Sequence, residues 1–222
     1  MKYTIRVWAI GSYPELIIDE VRFNTLKQAR LCLSAALAIE EKYELLISNY
    51  LDLEKECLNV TSDSMVRRSK DYSDFFEIRL AFNRRVVNLL TSTKLYIDQI
   101  QQHVNSCFPD RSDIGSNVKS FFSDEYDKFF EYRFMEALRN YVQHRVLAVH
   151  STSLDSKWTS QEEDAELEFK TRLFTHKTEV DGDKAFKREV LKEMPEKVDL
   201  LYAARVYVGL ISKIHCEIRN LV

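Results

Sequence analysis

From Asn24 or Thr25 onward, apolar side chains recur every three or four positions: Leu26, Ala29, Leu33, Ala36, Ile39, Tyr43, Leu46, Tyr50, Leu53 and Cys57. That spacing keeps one face of an α-helix apolar for about nine turns. The polar run Asn59–Ser64 offers side chains that compete with the backbone for hydrogen bonds, and it predicts the end of this helix. A second helix is predicted from Ser69–Ser73 to Cys107. It carries one stripe of Phe75, Ile78, Phe82, Val86, Leu89, Tyr96 and Ile100, and another of Leu80, Val87, Leu90, Ile97 and Val104. Two stripes require neighbours on two sides, as for an interior member of a bundle. Pro109 stops it, and Asp110–Asn117 is rich in turn and capping residues.

A third helix is predicted over Val118–Val149, with Phe122, Tyr126, Phe130, Phe134, Ala137, Leu138, Tyr141 and Val142 as core rather than as a stacking platform. Residues 151 to 166 lose the periodicity and predict a surface connection. Leu167, Phe169, Thr171 and Leu173 alternate ahead of Asp181-Gly182, which suits a strand. Residues 3 to 10, β-branched and aromatic and ending near Gly11 and Pro14, suit a second strand able to pair with it. After Pro195, Leu201, Ala204, Val208, Ile211, His215 and Ile218 mark a last helix. The predicted fold class is all-α: one domain over 1–222, an up-and-down bundle of four or more long helices with room for a small two-stranded β appendage. Within it, 1–23 is an arm or strand, 24–150 a three-helix core, 151–194 a connection with a strand, and 195–222 the final helix.

Composition sharpens this picture. Of 222 residues only 4 are Gly and 3 Pro, which favours long uninterrupted helices and leaves no glycine-rich phosphate cradle of the Rossmann or P-loop type. The net charge of -3 supplies no global field for nucleic acid, so any polynucleotide contact must be local. Cys32, Cys57, Cys107 and Cys216 form no C-x-x-C pair and are expected as reduced, mostly buried thiols. No apolar stretch is long enough to span a bilayer, so no membrane partner and a cytoplasmic setting are expected. No Glu-x-x-His, no zinc-finger spacing and no G-x-S-x-G nucleophile elbow occurs, so no metal and no cofactor are expected.

The segment Glu136–His150, EALRNYVQHRVLAVH, groups an Arg, an Asn and a His near the end of an otherwise apolar helix. Arg139-Asn140-x-x-x-His144 resembles the Arg-x(4 to 6)-His signature of the HEPN superfamily, whose members often place Asn, Asp or His directly after the Arg. Arg145-x(4)-His150 also satisfies the bare spacing, but Val146 follows its Arg. With 16 Arg and 5 His in the chain, the bare spacing is expected by chance about once; requiring that next residue lowers the expectation to about 0.14. The phrase RNYVQH fits the same superfamily.

The resemblance implies a helical bundle that dimerises so that two motifs share one cleft, and a metal-independent endoribonuclease, although the superfamily also includes binding modules. Chemistry suits these residue types. A histidine of pKa near ~6.5 can take the proton of a ribose 2′-OH or deliver one to the leaving 5′-oxygen. An arginine binds phosphate bidentately as charge builds on it. Attack by the 2′-OH would leave a cyclic phosphate and exclude DNA. The candidate catalytic residues are therefore Arg139, Asn140 and His144, with Arg133, Gln143 and Arg145 as candidate substrate-binding residues and Glu136 flanking them.

Arg139 and His144 lie about 140° apart on an ideal helix, whereas Asn140 and His144 share a face. A distorted helix or a second protomer is needed to bring the Arg and His together, and a homodimer is expected. Six basic and six acidic residues over 111–150 argue against a long RNA footprint, and favour a small structured target such as a tRNA loop. The resemblance extends to toxin-antitoxin and phage-defence systems, implying an antitoxin or other inhibitory protein partner. The alternative is a noncatalytic helical protein-interaction module, in which Arg139, Asn140, Gln143 and His144 are a solvated helix face with Arg145 snorkelling beside the core. His215 and Arg219 are one turn apart, but His215 sits in the apolar row and reads as a core histidine. Arg67-Arg68-x-Lys70 and Arg84-Arg85 are short basic clusters that offer local charge to RNA but are usually plain surface.

Overall fold

The computed structural model describes residues 1–67, 71–108, 114–144 and 147–221. Asp19 caps the first helix, α1 (Glu20–Val66), by accepting the Arg22 backbone N–H at 2.7 Å. Contrary to expectation, α1 runs straight through Asn59–Ser64. There Val60 is buried, Thr61 Oγ1 donates to the Cys57 carbonyl at 2.7 Å and Ser64 Oγ to the Thr61 carbonyl at 2.8 Å. These hydroxyls bond back into their own helix instead of competing with it.

The second helix, α2 (Tyr72–Cys107), opens on a reciprocal capping box: Asp71 accepts from the Asp74 N–H, and Asp74 from the Asp71 N–H, both at 3.0 Å. It lies antiparallel to α1, since Cys107 meets Cys32 while Arg85 meets Glu56. The first dozen residues of α1 therefore reach past the end of α2. Both predicted stripes of α2 contribute buried residues, Phe82 and Leu89 from one, Leu90 and Val104 from the other, but Leu80 and Phe75 are exposed.

The predicted third helix is divided in two, α3 (Ile114–Lys128) and α4 (Phe130–His144). The division has a visible cause. Arg133 Nη1 donates to the Tyr126 and Asp127 carbonyls at 2.9 and 2.8 Å, closing off the last turn of α3 from the side. Pro109 and the Asp110–Asp113 part of the predicted turn lie outside the described residues; Ile114–Asn117 are already helical. Leu147–Val149 are not helical, so the predicted helix does not reach Val149.

Residues 151 to 166 are not merely a connection. Ser151–Trp158 is a strand, here β3, antiparallel to β4 (Leu167–His176), with Ser151 opposite Phe174 and Trp158 opposite Leu167. A third strand, β5 (Lys197–Asp199), completes this sheet on the other edge of β4. Short helices α5 (Lys177–Val180) and α6 (Arg188–Glu193) bridge β4 to β5. The N-terminal strand, β1 (Tyr3–Ile5), pairs with β2 (Leu16–Ile18) and not with β4. The molecule is thus mostly helical but not all-α: a three-stranded sheet joins the helices, and a separate two-stranded hairpin precedes them.

The final helix, α7 (Leu200–Leu221), buries Leu201, Ala204, Val208, Ile211, His215 and Ile218 as its pattern predicts. A single cluster of buried residues links α1, α2, α3, α4, α7 and β4. All four cysteines carry free thiols; Cys57 and Cys107 are buried and Cys216 is exposed. Among the described residues, no helix is long and apolar enough to cross a membrane.

Candidate functional site

The α4 helix is sharply amphipathic, and its apolar face sets where its polar residues must go. Tyr132, Phe134, Met135, Ala137, Leu138 and Tyr141 are buried, Arg133, Glu136 and Asn140 are half-buried, and Gln143 and His144 are exposed. Arg139 is half-buried at the edge, and its Nη1 donates to Asn140 Oδ1 at 3.0 Å. Its Nε is buried and, among the described residues, has no hydrogen-bond partner. The predicted Arg–Asn pair is therefore together in one protomer. Gln143 and His144 are exposed on the last turn, and among the described residues no hydrogen bond joins Arg139 to His144. Arg145 lies outside the described residues.

Behind this face stands Glu136, which accepts a short hydrogen bond from the phenol of Tyr207. Tyr207 is fully buried, and its pKa is pushed well up, first by desolvation and then by the negative charge of Glu136, with Arg139 opposing. The Tyr207 phenol therefore stays protonated and holds Glu136 from behind, with the Arg139 guanidinium close enough to Tyr207 to be felt electrostatically.

Arg133 does not serve as the free phosphate contact expected of it. Besides clasping the end of α3, its Nη2 pairs with Glu193 Oε2 of α6 at 2.6 Å, and its side chain is only 18% exposed. It is a clamp among α3, α4 and α6. The basic clusters are similarly engaged: Arg85 pairs with Asp52 and Glu56, and Arg67 with Asp63. Arg84 is exposed; Arg68 and Lys70 lie outside the described residues.

The segment leaving α4 is tied down by residues that periodicity passed over. Asn83, 1% exposed in the middle of an α2 stripe, accepts the Val149 N–H at 2.8 Å and donates to the Val149 carbonyl at 3.2 Å. Its amide stands in for a β-strand partner. An Asn inside an apolar stripe was the signal available for it. One residue on, His150 Nδ1 accepts the His176 N–H at 3.0 Å, and Ser151 Oγ sits 2.6 Å from His176 Nε2. Burial is the main cause that lowers the His150 pKa.

His215 is a core histidine, hydrogen-bonded at Nδ1 to the Tyr96 phenol at 3.0 Å and stacked on Tyr43 at 3.7 Å. Its neighbour Arg219 pairs with Glu40 on the surface. A cavity of about 550 Å³ between α2, α3 and α4 is lined by Asp98, Asp127 and Glu136, with Lys119 as its one cation among the described residues. That wall repels a phosphodiester. Among the described residues, no group of three or more His, Cys, Asp or Glu side chains is placed to hold a metal ion. No family model, no curated protein and no solved structure matches the chain.

Proposed function

We propose that the protein is an endoribonuclease of HEPN type acting on RNA without a metal, with α4 as its catalytic helix. The observation that supports this reading is the Arg139–Asn140 pair, hydrogen-bonded at 3.0 Å, lying one turn before the solvent-open His144. In this reading Arg139 holds the phosphate and His144 moves the proton of the 2′-OH or of the leaving 5′-oxygen. Asn140, already oriented by the guanidinium, positions both. Gln143 and Arg145 contact the flanking RNA, while Arg133 is left to its structural clamp. Because Arg139 and His144 diverge around the helix, the working site takes His144 from one protomer and Arg139 from another, in a homodimer. A compact target such as a tRNA loop, an inhibitory protein partner and a role in toxin-antitoxin or phage-defence systems extend the same reading.

The test is incubation with tRNA and total RNA in EDTA, comparing wild type, His144→Ala and Arg139→Ala, with the fragment ends analysed. Wild type is expected to leave cyclic phosphates. Loss of the proton-transfer group should cost about 10²- to 10⁴-fold in rate. Full activity in His144→Ala would remove that residue from the mechanism, and no cleavage of any RNA by wild type would remove the activity.

A second reading, a noncatalytic interaction module, is favoured by a different feature. The outer face of α1 exposes Leu26, Leu33, Leu37, Leu51 and Leu58, with Leu33 at 70%. Exposed leucines on one helix face, in two groups separated by Glu44 and Ser48, offer apolar surface that another protein could cover.

A further inference from the structure

The start of α2 exposes three aromatic rings within five residues: Tyr72 at 86%, Phe75 at 38% and Phe76 at 50%. Folding alone gives no reason for this, because the same helix buries its apolar stripe completely a turn later, at Phe82 and Val86. These rings form one side of a cavity of about 240 Å³, and His150, Ser151 and Thr152 form the other. Arg79 completes the lining, one helical turn beyond Phe75 and Phe76. Its guanidinium lies 5.9 Å from the Phe76 ring centroid, and Nη1 reaches the His150 carbonyl at 3.5 Å.

Charge and size narrow the ligand. Among the described residues, no carboxylate lines the cavity and Arg79 has no carboxylate partner. Burial lowers the His150 pKa and so disfavours its charged form. Among the described residues, the site thus offers flat apolar faces beside the Arg79 charge. At about 240 Å³ it is smaller than the ~300 Å³ at which pockets for drug-sized ligands begin, and it suits one planar ring system. An aromatic base carrying a phosphate satisfies both halves: the ring stacks on Phe75 or Phe76, and the phosphate meets Arg79.

We propose that the cavity between the start of α2 and the start of β3 binds one nucleotide unit, its base on the Phe75–Phe76 rings and its phosphate at Arg79. The choice of single-stranded RNA over a free nucleotide rests on the ribonuclease reading; the nucleotide chemistry does not. Chain length supports that choice. His150 follows His144 by six residues, a reach of at most about 21 Å. A strand whose scissile phosphate sits at His144 can place a base a few nucleotides away in this cavity. Stacking of this sort is tolerant of base identity, so the pocket would anchor the strand rather than read its sequence.

The test uses the full-length wild-type protein and a fluorescein-labelled decamer with 2′-fluoro sugars, which cannot be cleaved by 2′-OH attack, carrying 4-thiouridine for ultraviolet crosslinking. Fluorescence anisotropy gives its affinity, and 5′-AMP and 5′-UMP are titrated separately. The expected result is a crosslink within the Tyr72–Arg79 peptide and a five- to hundredfold weaker affinity in Phe76→Ala. Phe76 is half exposed, so its truncation spares the core. Arg79→Gln should weaken binding and flatten its salt dependence. Binding unchanged in both variants with crosslinks elsewhere, or no binding of either probe, would overturn the proposal. Phe76-dependent binding of the mononucleotides without the decamer would assign the cavity to free nucleotides and overturn the RNA assignment. None of these outcomes depends on whether the protein cuts RNA.

Discussion

Asn83→Ala is the perturbation whose cost the structure specifies best. Val149 is 1% exposed, and both of its backbone groups bond to the Asn83 amide. Truncation to Ala leaves the buried Val149 N–H and C=O without these partners. Each such group costs about 1–3 kcal/mol, so the substitution should destabilise the fold by about 2–6 kcal/mol. With a urea m-value of about 2 kcal/mol/M, the unfolding midpoint should fall by about 1–3 M at unchanged m. Asn83→Asp separates hydrogen bonding from packing. It keeps an acceptor for the Val149 N–H but turns a carboxylate toward the Val149 and Arg79 carbonyls. It should be unstable at neutral pH, and its deficit against wild type should shrink as acid protonates the carboxyl and restores a donor. A fall below about 0.3 M in the Asn83→Ala midpoint would refute the view that this amide holds the exit from α4 in place.

Other expectations follow from the same contacts. Burial, the largest cause, lowers the pKa of His215, which faces Tyr43, Tyr96, Glu40 and Arg219, and that of His150. Their folded-state values lie below the unfolded ~6.5, so the unfolded chain binds more protons in acid. The stabilisation is complete above about pH 6.5 and is lost as pH falls below it, which urea midpoints at pH 7.5 and 5.5 should show and His215→Gln should reduce. Arg133→Met removes the clasp on α3 together with the Glu193 ion pair and should cost about 2 kcal/mol in urea unfolding; an unchanged midpoint would contradict the clamp. Cys32 and Cys107 each direct Sγ at the other's carbonyl, at 3.4 and 3.7 Å, so mild oxidation should crosslink α1 to α2. Burial, with Cys32 beside it, pushes the Cys107 thiol up to about 11, so crosslinking should be faster at pH 9 than at pH 7.5; non-reducing peptide mapping that finds both thiols free would refute the pairing.

How much of this was legible in the sequence depended on whether side-chain periodicity carried the information. The α7 row from Leu201 to Ile218 was readable because every buried position follows helical spacing. The end of α1 was not, because Thr61 acts differently in context: it returns a hydrogen bond to Cys57 and meets Thr171 of β4 at 2.7 Å, a partner 110 residues away. Ser151–Trp158 escaped notice because its serines, Thr152, Asp155 and Lys157 lack the apolar alternation of a half-buried strand; its register comes from pairing with β4. The break at Phe129 involves neither Gly nor Pro and depends on where the Arg133 guanidinium folds back. For the candidate site, the Arg139–Asn140–His144 grouping was visible as a motif, but Arg133 looked free because a helical wheel shows no neighbouring helix. The aromatic pocket was hidden for the opposite reason: Phe75 matched a core stripe, and only the tertiary packing leaves it uncovered.

The uninterrupted α1 also governs how the molecule moves through solution. Its 47 residues give a contour of about 70 Å, whereas a compact globule of 222 residues has a radius of gyration near 17 Å, about 44 Å across as a sphere. One helix is thus longer than the whole chain would be if rounded. Friction rises with that elongation, so a single copy will diffuse slowly and elute early from a sizing column, at a position a calibration with round proteins would assign to a pair. The shared-cleft dimer is therefore tested by a shape-independent mass, from light scattering or sedimentation equilibrium, and small-angle scattering of the monomer should show a pair-distance function skewed toward a long tail.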